Sequence, residues 1–166
     1  MRNFVNLITL SRILLAPIIL LFLISGNYII TTLLFFLAGI SDYLDGYFAR
    51  KYNATSQIGE ILDPIADKIL MVFILFGLAV NLSSYLIAFF GSIILAREIG
   101  VAALRDYSSR NNMLDTMKVT FIAKTKTTIQ LFTISIYLIA LALKINLLIL
   151  IADIFLIISV LITLYT

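Results

Sequence analysis

Long apolar runs alternate with short charged windows along the chain. Ile13 to Ser41 and Ile69 to Ala96 contain no charged residue over 29 and 28 positions. A membrane-crossing helix needs about 20 apolar residues, so each run exceeds one span, and turn-forming residues break both: Ser25-Gly26-Asn27 and Asn81-Leu82-Ser83-Ser84. A third apolar stretch follows Lys126 and is interrupted at Lys144-Ile145-Asn146. The pattern predicts an all-α polytopic membrane protein with six transmembrane helices, at roughly 8–25, 28–49, 60–81, 84–105, 120–143 and 146–165. Ahead of the first, Phe4, Leu7 and Ile8 can share a helix face with Asn3, Asn6 and Thr9 opposite. That fits a short N-terminal interfacial helix, a plain run-in to the first span being the alternative.

Composition sharpens the picture. Of 166 residues, 62% are hydrophobic and 13% charged, with a mean hydropathy of +1.12, whereas soluble domains carry about 25% charged residues. Six spans would consume roughly 120 residues, so a single integral-membrane domain over 1–166 is expected. With no Cys and no His, disulfide, thiolate and imidazole chemistry and nearly all zinc or haem sites are excluded, and any metal must be held by oxygen. The net charge of +3 reads as a topology signal rather than as nucleic-acid binding. The loops near residues 26, 82 and 145 hold one basic residue, Lys144, while the other side holds Arg2, Arg50, Lys51, Arg105, Arg110 and Lys118. The positive-inside rule then places both termini and the 50–58 and 106–119 loops in the cytoplasm.

Four acids stand where a span should be apolar: Asp42 and Asp45 in the second, Asp63 and Asp67 in the third. Intramembrane carboxylates cost several kcal/mol each and are functional by default. On a helix the first pair lies about 60° apart and the second about 40°. Gly46 and Ala49 share the stripe of the first pair and Gly59 that of the second, leaving room for a ligand. The short connection predicts that the two spans pack antiparallel with the stripes face to face. Four negative charges exceed what Arg50 and Lys68 can balance, whereas two divalent cations would balance them. Carboxylates select Mg²⁺, Mn²⁺ or Ca²⁺, and such a pair grips a diphosphate. A plainer role as protonated or ion-paired packing glue stays open. A divalent-cation carrier is the reading of another class; against it, the four acids lie near one interface and no acid or polar chain is expected to continue across the outer half.

The run Asp42-Tyr-Leu-Asp45-Gly46-Tyr-Phe-Ala49-Arg50, eight further residues, and Gly59-Glu-Ile-Leu-Asp63-Pro-Ile-Ala-Asp67 resembles the signature of the CDP-alcohol phosphotransferases, D-x-x-D-G-x-x-A-R-x8-G-x3-D-x3-D, at every fixed position and in both spacings. Asn6-Leu-Ile-Thr9-Leu-Ser-Arg12, Ala96-Arg97-Glu98-Ile99 with Leu104-Arg105, and Lys124-Thr-Lys126-Thr127-Thr-Ile-Gln130 are similar to further motifs of its bacterial phosphatidylglycerophosphate-forming branch. Val5 stands where that branch has Pro and Ala123 where it has Gly.

The resemblance implies an enzyme of the bacterial cytoplasmic membrane, its active site facing the cytoplasm. It would transfer a phosphatidyl group from CDP-diacylglycerol to glycerol 3-phosphate and release CMP. It implies two divalent cations, Mg²⁺ or Mn²⁺, held chiefly by Asp42, Asp45 and Asp63, with Asp67 completing the site and acting as general base. Gly46, Ala49 and Gly59 would leave room for the CDP group, and Arg50 would contact its phosphates. A dianionic acceptor calls for cations, and Arg97, Arg105, Lys124 and Lys126 are the candidates, although Lys124 and Lys126 point about 200° apart on a regular helix. Glu98 shares a face with Arg105 and is expected to pair with it, and any of these cations alone reads equally as snorkelling to the interface. Phosphatidylglycerol, inositol phosphate and serine are alternative acceptors. Family members commonly form homodimers, and Gly77, Ala79 and Gly91 are small enough to pack a second copy or a neighbouring span.

Overall fold

A computed structural model describes the backbone of residues 2–51, 57–110 and 121–165, and the side chains within them except 2–8, 45, 47–51, 57–61, 63, 64, 105, 106, 109, 110 and 121–125. The described residues are all-helical: α1 (Arg2–Ile24), α2 (Tyr28–Lys51), α3 (Gln57–Asn81), α4 (Tyr85–Arg110), α5 (Phe121–Leu143) and α6 (Asn146–Tyr165). Residues 2–9 form the first turns of α1, with no break between them and the rest of the helix.

The helices α1, α3 and α5 stop where turn residues stand, each with a residue at positive φ. At the end of α1 the Asn27 amide donates to the Phe22 carbonyl at 3.0 Å and the Gly26 amide to Leu23 at 3.1 Å, with Gly26 at φ 78°. That is the left-handed cap that satisfies the last carbonyls of a helix. Lys144 (φ 57°) does the same for α5, through Lys144 N–H to Leu141 and Ile145 N–H to Ala140. Ser83 (φ 47°) closes α3.

Two compact units result, Met1–Ser83 and Ser84–Thr166. In the first, α1 packs against both α2 and α3. Its buried positions, Thr9, Arg12, Ala16, Ile19 and Leu23, recur every three or four residues, as do Thr31, Phe35 and Ala38 on α2 and Ala66, Leu70, Ile74 and Leu78 on α3. Gly77 lets α1 come close, since a Cβ there would stand 2.6 Å from Leu23 Cδ2 and 2.7 Å from Leu20 Cδ1. The expected direct pairing of α2 with α3 is therefore not the main contact among the described residues. The apolar stripe of α1 is wide enough to take both partners. At the end of the unit holding the turns, Tyr28 Oη donates to Asn81 Oδ1 (2.9 Å) and Asn81 Nδ2 to the Leu23 carbonyl (3.0 Å), tying all three helices.

In the second unit, α6 packs against α4 and α5. Lys126, Gln130, Thr133 and Tyr137 are buried on α5 at helical spacing, and Thr163, Ser159, Leu156 and Ala152 on α6. Gln130 Nε2 donates to Thr163 Oγ1 (3.1 Å), and Tyr137 Oη donates to Asp153 Oδ1. An acid and a run of polar side chains thus do continue away from the charged loops, contrary to the expectation above. Asp153 stands alone in an apolar stretch of the sequence, and its partner Tyr137 sits 16 positions before it, so local spacing does not pair them.

Among the described residues, three segments are long and apolar enough to cross a membrane: Tyr85–Leu104, Lys126–Leu143 and Asn146–Tyr165. Thr9–Ile24 and Tyr28–Leu44 are shorter apolar stretches. Leu14, Leu21, Ile29, Leu33, Leu147 and Leu161 stand exposed, and the hydroxyls of Thr31, Thr32, Ser41, Ser92 and Ser135 donate to the carbonyls four residues earlier. An apolar exterior with polar groups satisfied internally is the distribution of an integral membrane protein.

Candidate functional site

The buried stripes of α1, α2 and α3 each run into a charged residue. On α2 the series Thr31, Phe35, Ala38 reaches Asp42 one turn further; on α3 Asp67 follows Ala66; on α1 Arg12 lies one turn before Ala16. The three meet. Arg12 Nη1 donates to Asp42 Oδ1 and, at 2.9 Å, to Asp67 Oδ1. With Leu23 and Asn81 bonded near the opposite ends, this pairing shows α1 and α3 running in the same direction.

Burial is unequal across the cluster. The Arg12 side chain is 2% exposed, while those of Asp42 and Asp67 are 48% and 51% exposed. The cation is enclosed and the acids remain open to a ligand. A buried guanidinium needs a carboxylate partner to offset its desolvation, and here two converge on one nitrogen. To Arg50 and Lys68, the nearby cations the sequence suggests, the structure adds Arg12. Its signal was a charge on the apolar stripe of α1, and its partners lie 30 and 55 residues away, beyond the reach of local spacing.

Other expected site residues are placed as follows. Gly46 is on α2 one turn beyond Asp42 and is half-buried. The side chains of Asp45, Ala49, Arg50, Gly59, Asp63, Arg105 and Lys124 lie outside the described residues. In the second unit Arg97 is half-buried on α4. Lys126 is 6% exposed and bonds Glu98 on α4, so Lys126 does not snorkel, and Glu98 has a partner other than the expected Arg105.

The chemistry of the donor set suits a hard divalent cation: two half-open carboxylates from different helices, with no His or Cys in the sequence. Among the described residues no group of three acids stands close enough to hold a metal; Asp45 and Asp63 lie outside them.

The fold and this cluster define a helical membrane protein in which two half-open acids, Asp42 and Asp67, are gathered on a buried arginine. The profile of the CDP-alcohol phosphatidyltransferase family matches residues 2–165. Similar proteins include the CDP-diacylglycerol–glycerol-3-phosphate 3-phosphatidyltransferases of Haemophilus influenzae, 36% identical over 130 residues (76% of this chain and 70% of that protein), and of Rickettsia typhi, 38% identical over 141 residues (82% and 76%). The enzyme so named from Salmonella choleraesuis is 30% identical over 136 residues (80% and 75%). The chain belongs to the CDP-alcohol phosphatidyltransferase family and is a phosphatidyltransferase.

Proposed function

We propose that the chain transfers the phosphatidyl group of CDP-diacylglycerol to glycerol 3-phosphate in a divalent-cation-dependent reaction, giving phosphatidylglycerophosphate and CMP. The observation that carries the reading is the convergence of Asp42 and Asp67, the outermost acids of the family signature, on one nitrogen. Three relatives bearing that enzymatic name support the donor and the acceptor.

Asp42, Asp45, Asp63 and Asp67 would hold two Mg²⁺ or Mn²⁺ ions, and the bound ions would supply the charge neutralisation that a pyrophosphate leaving group requires. Gly46, Ala49 and Gly59 leave space for the CDP group, and Arg50 bonds its phosphates in the bidentate manner a guanidinium allows. Asp67 accepts the proton of the acceptor hydroxyl as its oxygen attacks the lipid-side phosphorus. The bond from that phosphorus to the CMP oxygen breaks and CMP leaves. The acceptor's phosphate is assigned to Arg97, Arg105, Lys124 and Lys126; the ion pair with Glu98 keeps Lys126 oriented. The same reading takes the six helices as six spans of one domain, both termini cytoplasmic, with residues 2–9 entering along the interface and the active protein a homodimer. The family match over 2–165 supports one domain.

The test is CMP release by the purified protein in detergent with CDP-diacylglycerol, with and without glycerol 3-phosphate and with Mg²⁺, Mn²⁺ or a chelator. Release that requires metal, acceptor and Asp67 is the expected result. Release with a different alcohol but not with glycerol 3-phosphate would overturn the assignment of the basic residues, and release undiminished by chelator would overturn the metal site.

A further inference from the structure

The eight-position signature accounts for the acids of α2 and α3, and Arg12 closes the separate Asn6–Arg12 motif on α1 with no role yet given to it, yet α1 supplies the group that Asp42 and Asp67 share. Arg12 lies on the buried stripe of α1 in line with Ala16, Ile19 and Leu23, and it is 1% exposed. An arginine that served only to orient a membrane helix would extend toward the interface. This one is turned inward, against carboxylates from two other helices. A planar guanidinium presents its donors in fixed directions, so two oxygens bonded to it are fixed relative to each other. Two carboxylates brought together without a cation repel one another and drift apart.

We propose that Arg12 is a positioning residue for the reaction: it holds Asp42 and Asp67 in one arrangement before any divalent cation binds, which makes α1 part of the reaction centre. The inference rests on the metal-dependent reading above. Binding then does not have to gather two like charges from separate helices. Lysine at this position would keep the charge but replace a rigid fork with one rotatable ammonium, so charge and geometry can be separated by substitution.

Arg12→Lys and Arg12→Gln, purified in detergent beside the wild type, allow the test. Mn²⁺ binding is titrated by the paramagnetic resonance signal of the free ion, melting curves are recorded with and without Mn²⁺, and kcat and KM for CDP-diacylglycerol are measured across Mn²⁺ concentrations. The expected result is about 10–100-fold weaker Mn²⁺ binding in Arg12→Gln, the range seen when groups behind metal ligands are removed, with a smaller loss in Arg12→Lys. The melting rise on adding Mn²⁺ should shrink in the same order, and excess Mn²⁺ should recover part of the Arg12→Lys kcat. Unchanged Mn²⁺ affinity, with melting lowered equally in both conditions, would make Arg12 a pin between helices and overturn the proposal. Failure of both variants to fold would overturn it in the same way. A wild-type protein that binds no Mn²⁺ would bring down the metal-dependent reading itself, and the proposal with it.

Discussion

Because Asp42 and Asp67 bond the same nitrogen of Arg12, either acid can be neutralised without stranding the arginine. Asparagine at 67 still offers a carbonyl oxygen to Nη1, and Asp42 keeps its charge. Asp67→Asn is therefore expected to leave the fold intact, at a stability cost of about 1 kcal/mol, while CMP release falls by about 10²–10⁴-fold. Melting curves and turnover measured on one preparation would separate the two effects. Gly77 behaves in the opposite sense: an alanine Cβ would meet Leu23 Cδ2 at 2.6 Å and Leu20 Cδ1 at 2.7 Å, and Leu23 is fully buried. Gly77→Ala should destabilise the protein by about 1–3 kcal/mol through overpacking. Gly39, on the same unit, has nothing within 4 Å of the equivalent Cβ. Gly39→Ala should be neutral or stabilising by up to about 1 kcal/mol, because a helix-interior glycine loses more backbone entropy than alanine. The same comparison places Gly77 inside the unit, against α1, rather than on a face left for a second copy.

At the scale of elements, the breaks after α1, α3 and α5 were readable because they carry residues that end helices, and Gly26, Ser83 and Lys144 adopt positive φ there. The choice of partners was not readable. The short α2–α3 connection suggested a hairpin, whereas α1 packs with both, since nothing in local spacing reveals that the stripe ending in Arg12 is complementary to those ending in Asp42 and Asp67. The α5–α6 seam was missed for the same reason: Gln130, Thr133 and Tyr137 each look like an isolated polar residue until α6 is laid beside them. Hydrogen bonds between membrane helices contribute about 0.6 kcal/mol on average and up to about 1.7. Tyr137→Phe removes the donor to Asp153 and should cost toward the upper end of that range, because it leaves an acid between helices without that bond. Gln130→Leu removes only the bond to Thr163 and should cost less. The two positions are about 10 Å apart along α5, so the double variant should be additive to within roughly 0.5 kcal/mol. Unfolding of the detergent-solubilised variants would measure all three values.

For the whole molecule, membrane character follows from composition, and among the described residues Tyr85–Leu104, Lys126–Leu143 and Asn146–Tyr165 have the length and hydropathy of a span. Arg12, Asp42 and Asp67 lie on the first three helices, and Arg12 offsets there part of the charge that lipid would penalise. Under the six-span reading α1, α2 and α3 cross as well, with their charged ends on one side. This can be checked without altering the native background, since the sequence contains no Cys and a single introduced thiol reports its own side of the membrane. In intact cells a membrane-impermeant maleimide should label Ser25→Cys and Lys144→Cys, at the α1–α2 and α5–α6 turns, and should label Thr55→Cys and Asp115→Cys only after permeabilisation. Labelling of Lys144→Cys and Asp115→Cys from the same side would mean that α5 does not cross. Labelling of all four with sides exchanged would keep six spans and reverse the orientation that the Lys and Arg distribution implies.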